Sequence, residues 1–239
     1  MQRYFAHLDN DRVVLEEDDV FHLTRVMRAK VGDELEIVDS KQTLYLSVIK
    51  SLKPLEIKII EQLIRPTEVL NQISLYYVMA KGDKTDLVVQ KATELGVHHI
   101  ILLHSKRSVV VVDSSKIVSK VERYLKIAKE ASEQSKRLII PSIRIATKFE
   151  AIKEDQSNLK LIADEAVAGQ TDALYQELHQ LKNGSIAVLV GPEGGFAREE
   201  VELARQSGFK TISLGKRILR SETAAIHLCG LISSYLEQV

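Results

Sequence analysis

The chain has a single cysteine, Cys229, so no intrachain disulfide can form. It has no excess of either charge: 33 Lys+Arg stand against 33 Asp+Glu. It has no apolar run of about 20 residues, the length needed to span a bilayer, and no internal repeat or low-complexity tract. The first residues, MQRYFAHLDNDR, contain no signal-peptide type of apolar stretch. These absences exclude a disulfide-stapled module, a helical membrane protein and a uniform polycation that coats nucleic acid. They lead us to expect a protein of a reducing, cytoplasmic compartment with no membrane partner. An enzyme acting on nucleic acid stays open, because charge can be spread unevenly. What is present is ordinary for a globular protein: 239 residues, 45% apolar and 28% charged, enough for one large domain or two small ones.

The charge is in fact uneven. Residues 1–70 hold 10 basic and 13 acidic side chains, residues 71–148 hold 14 and 7, and residues 149–239 hold 9 and 13. The basic middle includes Lys81, Lys84, Lys91, Lys106, Arg107, Lys136 and Arg137. It reads either as solvated helix faces or as a phosphate-facing surface.

Patterning changes near residue 70. Before it, Glu34–Val38, Thr43–Lys50 and Leu55–Ile60 alternate apolar and polar residues with period two, as half-buried antiparallel strands do. Asp18–Arg28 carries Val20, Leu23, Val26 and Met27 at helical spacing, with Asp18 or Asp19 as candidate caps. Residues 1–70 therefore predict a small β-barrel module, and Arg65-Pro66-Thr67 a linker. Residues 71–239 alternate short apolar runs (Ile73–Ala80, Ile100–His104, Ile143–Ala146, Leu159–Ala163, Ile186–Val190, Thr211–Leu214) with helical stripes. Helices are expected over Asp86–Leu95, Ser115–Ser132, Arg198–Gln206 and from Ser221 onward. Such βα alternation implies a parallel sheet covered on both faces, with ligands at the carboxyl ends of the strands. The last helix is apolar around much of its circumference, which suits burial or a subunit interface.

Two strand-to-helix loops carry the chemistry. Gly191-Pro192-Glu193-Gly194-Gly195-Phe196 follows a buried strand. Its glycines let a ligand approach bare backbone, or simply make a tight turn. No Gly-Lys-Ser/Thr follows, so it is not a P-loop, and it lacks the spacing of the dinucleotide fingerprint. Leu214-Gly-Lys-Arg-Ile-Leu-Arg-Ser-Glu-Thr-Ala224 again joins a strand to a helix. Ser221 reads as an N-cap and Glu222 as a favourable first-turn acid. Arg217 and Arg220 have no such role, since cations near a helix N-terminus are mildly unfavourable, and they suggest an anionic partner.

Taken together, these motifs resemble the SPOUT family of S-adenosylmethionine-dependent RNA methyltransferases. The resemblance is to its ribosomal RNA small subunit methyltransferase E branch, which methylates N3 of a uridine in small-subunit (16S) rRNA. It covers nearly the whole chain, and Arg3-Tyr4-Phe5, His22, Val26-Met27-Arg28, Gly32-Asp33, Lys91, Glu94–Val97, Arg107-Ser108 and Glu133–Ser135 share in it. Ser40 stands where glycine is expected, and Lys106 where an acid is common. The resemblance implies a PUA-like β-barrel over 1–70 and a trefoil-knotted α/β domain over 71–239. It also implies a homodimer, ribosomal RNA as partner, and S-adenosylmethionine as methyl donor without any metal, S-adenosylhomocysteine being the product. Donor-binding residues would be Ala163, Asp164, Glu165, Gly191, Pro192, Glu193, Gly194, Gly195, Leu214, Gly215, Ile218, Leu219, Arg220 and Thr223. Arg220 would stabilise the developing uridylate, with Arg217 second, and Glu222 or Glu193 would accept a proton. Arg3, Arg25, Arg28, Lys106, Arg107 and Arg137 would hold RNA, and the target base would be unpaired or flipped.

Rival readings remain at this point. One is a non-catalytic RNA-binding protein with a degenerate donor site, which the intact glycine loop and Arg-Ser-Glu-Thr segment disfavour. Another is a SPOUT enzyme of tRNA or of a ribose hydroxyl. His98 and His99 fall on opposite faces of a strand, which argues against a metal shared with His104. Cys229 reads as packing, and so do Tyr76 and Tyr77.

Overall fold

The computed structural model describes residues 1–9, 12–167, 169, 172–181 and 183–238. They form two compact units. The first comprises Met1–Glu68 and Ser132–Ile139, the second Val69–Ala131 and Ile140–Val239.

The first unit is built on one sheet. Its strands are β1 (Gln2–Phe5), β2 (His7–Asp9), β3 (Arg12–Val14), β4 (Glu34–Val38), β5 (Leu44–Leu52) and β6 (Leu55–Leu63), in the order β1-β4-β5-β6-β3-β2. β1 pairs with β4 in parallel and the remaining pairs are antiparallel. The sheet is open, with β1 and β2 at its edges, rather than a closed barrel. Tyr4, Val13, Leu35, Ile37, Ile49 and Ile57 fill its inner face, joined by Leu23.

The helical segment of this unit departs from its prediction. It is a short α-helix, α1 (Glu17–Phe21), that widens into a π-turn at His22–Val26. Neither Asp18 nor Asp19 caps it: the cap position is Glu16, which makes no side-chain cap bond, and both aspartates lie in the first turn. There they complement the helix dipole instead. Of the predicted inward stripe, Leu23 is buried while Val26 and Met27 face solvent.

Two arginines expected to hold RNA are structural. The Arg3 side chain is buried, its Nε 3.0 Å from Glu36 Oε2, and it donates to the carbonyls of Lys136 and Arg137. Arg137 is buried and donates to Glu68 from Nε and Nη2, at 3.1 and 2.7 Å. A guanidinium enclosed in a protein ion pair has no face left for phosphate, so burial removes both from the expected RNA surface. These bonds fasten Ser132–Ile139 to the sheet.

The second unit holds six parallel strands: β7 (Gln72–Val78), β8 (His99–Leu103), β9 (Ser142–Ala146), β10 (Leu159–Ala163), β11 (Ser185–Val190) and β12 (Lys210–Ile212). Their order is β12-β10-β11-β7-β8-β9. The connecting helices are α2 (Lys84–Glu94), α3 (Ile117–Gln134), α4 (Asp172–Gln180), α5 (Arg198–Gln206) and α6 (Ser221–Leu236). Alternation along each strand splits the core in two. Ile73, Leu75 and Tyr77 face α2 and α6 residues such as Val88, Leu228 and Ile232. Tyr76 and Val78 face Phe149, Phe196, Val201 and Phe209. Both faces of the sheet are thus dry, which is why the strands read as near-continuous apolar runs.

β7, β8 and β9 are added outward on one side of the β7/β11 boundary, while β10, β11 and β12 lie on the other, so the winding of the parallel sheet switches sides there. Loops from both halves meet at the carboxyl ends of the strands there, the usual ligand position in an open α/β sheet.

Candidate active site

A cleft of about 370 Å³ opens at those carboxyl ends. Three chain segments wall it: Ala163–Glu165 after β10, Val190–Phe196 after β11, and Ile212–Ala224 between β12 and α6. Of the residues expected to bind the donor, Ala163, Asp164, Glu165, Gly191, Pro192, Glu193, Gly195, Leu214, Gly215, Ile218, Leu219 and Arg220 line it, and so does Arg217. Gly194, Glu222 and Thr223 do not. Val190, Phe196, Ile212, Ser213, Ser221 and Ala224 also line it without having been singled out.

Glycine is required at specific points of this wall. Gly195 holds a φ of 65° and Gly215 one of 126°, both in the left-handed region. At Gly191 the constraint is space: a Cβ would meet Phe196 Cε2 at 2.9 Å. The Phe196 ring is itself fixed edge-on by Phe149, with centroids 5.7 Å apart.

Hydrogen bonds tie the segments to each other. Ser213 Oγ accepts from the amides of Gly169 and Gly215, at 3.1 and 3.2 Å, joining the segment after β10 to the one after β12. The Ser221 hydroxyl donates to the Gly191 carbonyl and lies 3.3 Å from the Tyr77 hydroxyl. The cap position of α6 is Arg220, so Ser221 anchors the glycine loop instead of capping the helix. Arg107 donates to the Gly194 carbonyl at 2.9 Å. The Glu200 carboxylate, buried, accepts from the amides of Ala197 and Lys106, at 2.9 and 2.8 Å. Arg198 pairs with Asp164 at 3.0 Å.

Lys84, at the start of α2, which sequence reading passed over as one lysine among many, is brought to the carboxylates beside the cleft. Its Nζ is 2.9 Å from Glu193 Oε1 and 3.5 Å from Glu222 Oε2. The Lys84 hydrogen bond, with one from the backbone, holds the Glu193 carboxyl below its usual range. Lys84 is raised in turn, chiefly by Glu193. Its position one short loop after a parallel strand was the available signal. Tyr77, buried beneath Ser221, is pushed up to about 12, first by burial. Glu222 Oε2 is buried and accepts no hydrogen bond.

Arg217 and Arg220 are exposed, and among the described residues no acid pairs with either, whereas Arg198 is held by Asp164 and Arg107 by the Gly194 carbonyl. Lys106 and Arg107 are also exposed, Lys106 pairing with Glu199 at 2.6 Å. Among the described residues no group of three His, Cys, Asp or Glu side chains could hold a metal ion. His98 accepts from the Ile73 amide, His104 from the Val112 amide, and His99 pairs with Ser142. Cys229 is buried in α6, where burial pushes its thiol up to about 12.

The cleft fits an elongated, partly apolar ligand of nucleoside size. Bare glycine backbone, the apolar side chains of Leu214, Ile218 and Leu219, and a rim of unpaired guanidinium groups are the elements a nucleoside with a charged tail needs.

Comparison with known proteins agrees. Residues 67–233 match the RNA methyltransferase domain family and residues 15–61 the RNA methyltransferase PUA domain family. The Ribosomal RNA small subunit methyltransferase E of Bacillus subtilis is 32% identical, with 99% of this chain and 98% of that protein covered. Its counterpart from Rickettsia conorii is 33% identical, covering 97% and 94%. The crystal structure of Ribosomal RNA small subunit methyltransferase E from Neisseria gonorrhoeae, bound to S-adenosyl methionine, superimposes with a TM-score of 0.85 at 29% identity, covering 98% and 97%. With its cleft formed by the same loops that carried the sequence motifs, this chain belongs to the ribosomal RNA small subunit methyltransferase E family.

Proposed function

We propose that the protein methylates N3 of a specific uridine in 16S rRNA, with S-adenosylmethionine as donor. The observation that carries this reading is the glycine-walled cleft with Arg217 and Arg220 unpaired at its rim. Bound there, S-adenosylmethionine supplies a sulfonium methyl that is already activated. The protein's task is then to orient the base and to manage one proton. Uridine N3 is protonated at neutral pH, so its N–H bond must break as the N–C bond forms.

Arg220 stabilises the negative charge that spreads onto the flanking carbonyl oxygens, with Arg217 beside it. Of the two candidate acceptors, Glu193 is the weaker base, because Lys84 and a backbone N–H already occupy it. Glu222, whose Oε2 makes no hydrogen bond, is the other candidate acceptor of the N3 proton, although it does not itself line the cleft. Gly191, Gly195, Gly215, Leu214, Ile218 and Leu219 hold the donor, mostly through main chain and apolar contact.

The assignment extends to features beyond the cleft. Residues 1–70 bind rRNA through Arg25 and Arg28, aided by Lys106 and Arg107 of the second unit. The chain works in the cytoplasm as a homodimer whose α6 faces, with half-buried Ile226, Leu231 and Tyr235, meet. It is threaded as the trefoil knot of the SPOUT family.

Two measurements test the proposal. Calorimetry should detect S-adenosylmethionine at the micromolar level, about 1–100 μM. Mass spectrometry of digested 16S rRNA should lose one 3-methyluridine when the protein is removed from the cell. No donor binding, or an unchanged 3-methyluridine content, would overturn the assignment.

A further inference from the structure

We infer that Phe21–Val31 is a docking surface for unpaired RNA, in which the Phe21 ring stacks on a base and Arg25, Arg28 and Lys30 receive flanking phosphates. The choice of nucleic acid rests on the rRNA-methyltransferase reading. The surface itself rests on three observations.

First, four apolar side chains face outward, two of which (Val26 and Met27) helical periodicity would bury. Phe21 is 62% exposed, Val26 58%, Met27 42% and Val31 61%. For Val26 and Met27 the cause is the π-turn: the Met27 amide reaches back to the His22 carbonyl at 2.9 Å, and the extra residue rotates both off the inner face. Arg28 follows at φ 52°, a conformation that non-glycine residues seldom hold. Widened turns and left-handed residues recur at functional sites, where geometry serves something other than packing.

Second, the segment is rigidly seated. Leu23 points into the core, and His22 Nδ1 lies 2.9 Å from the buried Tyr4 hydroxyl. An outward-facing ring on a fixed turn can bind without first being ordered.

Third, the charge has one sign. Residues 20–31, VFHLTRVMRAKV, contain Arg25, Arg28 and Lys30 and no acid. Among the described residues none of these three side chains is ion-paired; the acids at Glu16–Asp19 and Asp33-Glu34 flank the stretch, and of these Asp33 accepts from the Lys30 backbone amide at 2.8 Å. The core of a protein–protein interface is depleted of charge. An aromatic ring beside unpaired cations is instead the makeup of a single-strand platform, where bases stack and phosphates meet the cations.

The test uses the full-length protein and a labelled single-stranded RNA of about 12 nucleotides carrying 2-aminopurine, with a duplex of the same sequence as control. Wild type and Phe21→Tyr are expected to bind the single strand and quench 2-aminopurine. Phe21→Leu, which keeps the apolar bulk, is expected to bind about 5- to 30-fold more weakly and to lose the quenching. Arg25→Ala and Arg28→Ala should each lower the slope of affinity against salt by about 0.7. Wild-type affinity and quenching in Phe21→Leu would overturn the proposal, and so would preference for the duplex. Calorimetry of S-adenosylmethionine binding is expected to be equal in all variants, which shows that they are folded. Failure of the wild type to bind the donor would instead strike the methyltransferase reading, and the RNA titration would still judge this surface.

Discussion

Lys84 Nζ donates to Glu193 Oε1 at 2.9 Å and so fastens the start of α2 to the glycine loop. The same ammonium stands 3.5 Å from Glu222 Oε2, which places one cation between two carboxylates beside Arg217 and Arg220. Under the proposed mechanism its role is to hold Glu193, so that this carboxylate does not capture Arg217 or Arg220. In Lys84→Met the melting temperature should stay within about 4 °C, because a half-exposed ion pair is worth about 0–1 kcal/mol. Methyl transfer should nevertheless fall by about tenfold or more, with donor affinity changed less, and Lys84→Arg should restore most of it. The Glu193 carboxyl should titrate higher in Lys84→Met, since its principal stabilising partner is gone. Equal single-turnover rates in both proteins would make Lys84 merely a surface lysine.

Arg220 is the more demanding case. A donor aimed at developing charge contributes about 10²–10³ in rate when preorganised in a shielded site. Arg220→Ala should therefore cost about that factor in single-turnover transfer while S-adenosylmethionine binds within a few-fold of wild type. Arg217→Ala should cost less. If Arg220→Ala turned over as fast as wild type, the charge-stabilising role would pass to another group.

The glycine loop separates steric from conformational demands. A Cβ at Gly191 would lie 2.9 Å from Phe196 Cε2, and that ring already packs edge-on against Phe149. At Gly194 the nearest atoms to a Cβ are side-chain carbons of Arg107 at 3.9 Å. Gly191→Ala should cost about 1–3 kcal/mol of overpacking, taken partly as lost donor affinity, whereas Gly194→Ala should bind the donor as wild type does. Calorimetry on the two variants makes the comparison, and equal affinities would remove Phe196 as the constraint.

What the sequence disclosed follows from how local each feature is. The strands of the parallel sheet were legible because both faces are buried: Ile186–Val190 is apolar throughout and Leu159–Ala163 is interrupted only by Lys160. The cleft was legible because its loops carry glycines and arginines that no packing role explains. α4 was not anticipated at all. The π-turn escaped because a 3.6-residue template assigns Val26 and Met27 inward, and one extra residue per turn reverses them. Arg3 and Arg137 escaped because their partners, Glu36 and Glu68, lie 33 and 69 residues away, and nothing local marks a buried ion pair. Lys84 escaped for the same reason, since its partners, Glu193 in the glycine loop and Glu222 in the first turn of α6, are distant in sequence.

The Arg137–Glu68 pair is a stability prediction. Arg137 and the Leu138 amide both donate to Glu68, so the carboxylate has little water to fall back on. Arg137→Ala should destabilise the protein by about 3–5 kcal/mol, the cost of leaving a buried charge without its partner. Arg137→Lys should recover only part, because an ammonium cannot reproduce the bond from Nε and Nη2 together. Denaturant midpoints for the three proteins decide it, and a loss under about 1 kcal/mol in Arg137→Ala would mean that Glu68 is solvated after all.

Two histidines set the pH dependence at the mild end. Burial holds His99 and His104 below the ordinary imidazole range, so the fold keeps both neutral where the unfolded chain protonates them. The unfolded state then binds more protons than the folded state as pH drops below about 6.5, and stability must fall with pH from there until the lowered folded values are reached. The denaturant midpoint should therefore be lower at about pH 5.5 than at about pH 7.5, in a range where most carboxylates stay ionised. Glutamine can accept the Val112 amide that His104 now accepts, and it carries no titrating proton. The double variant His99→Gln, His104→Gln should accordingly lose stability less steeply over the same interval, whatever its absolute stability. A slope identical to wild type would place the acid sensitivity in other groups.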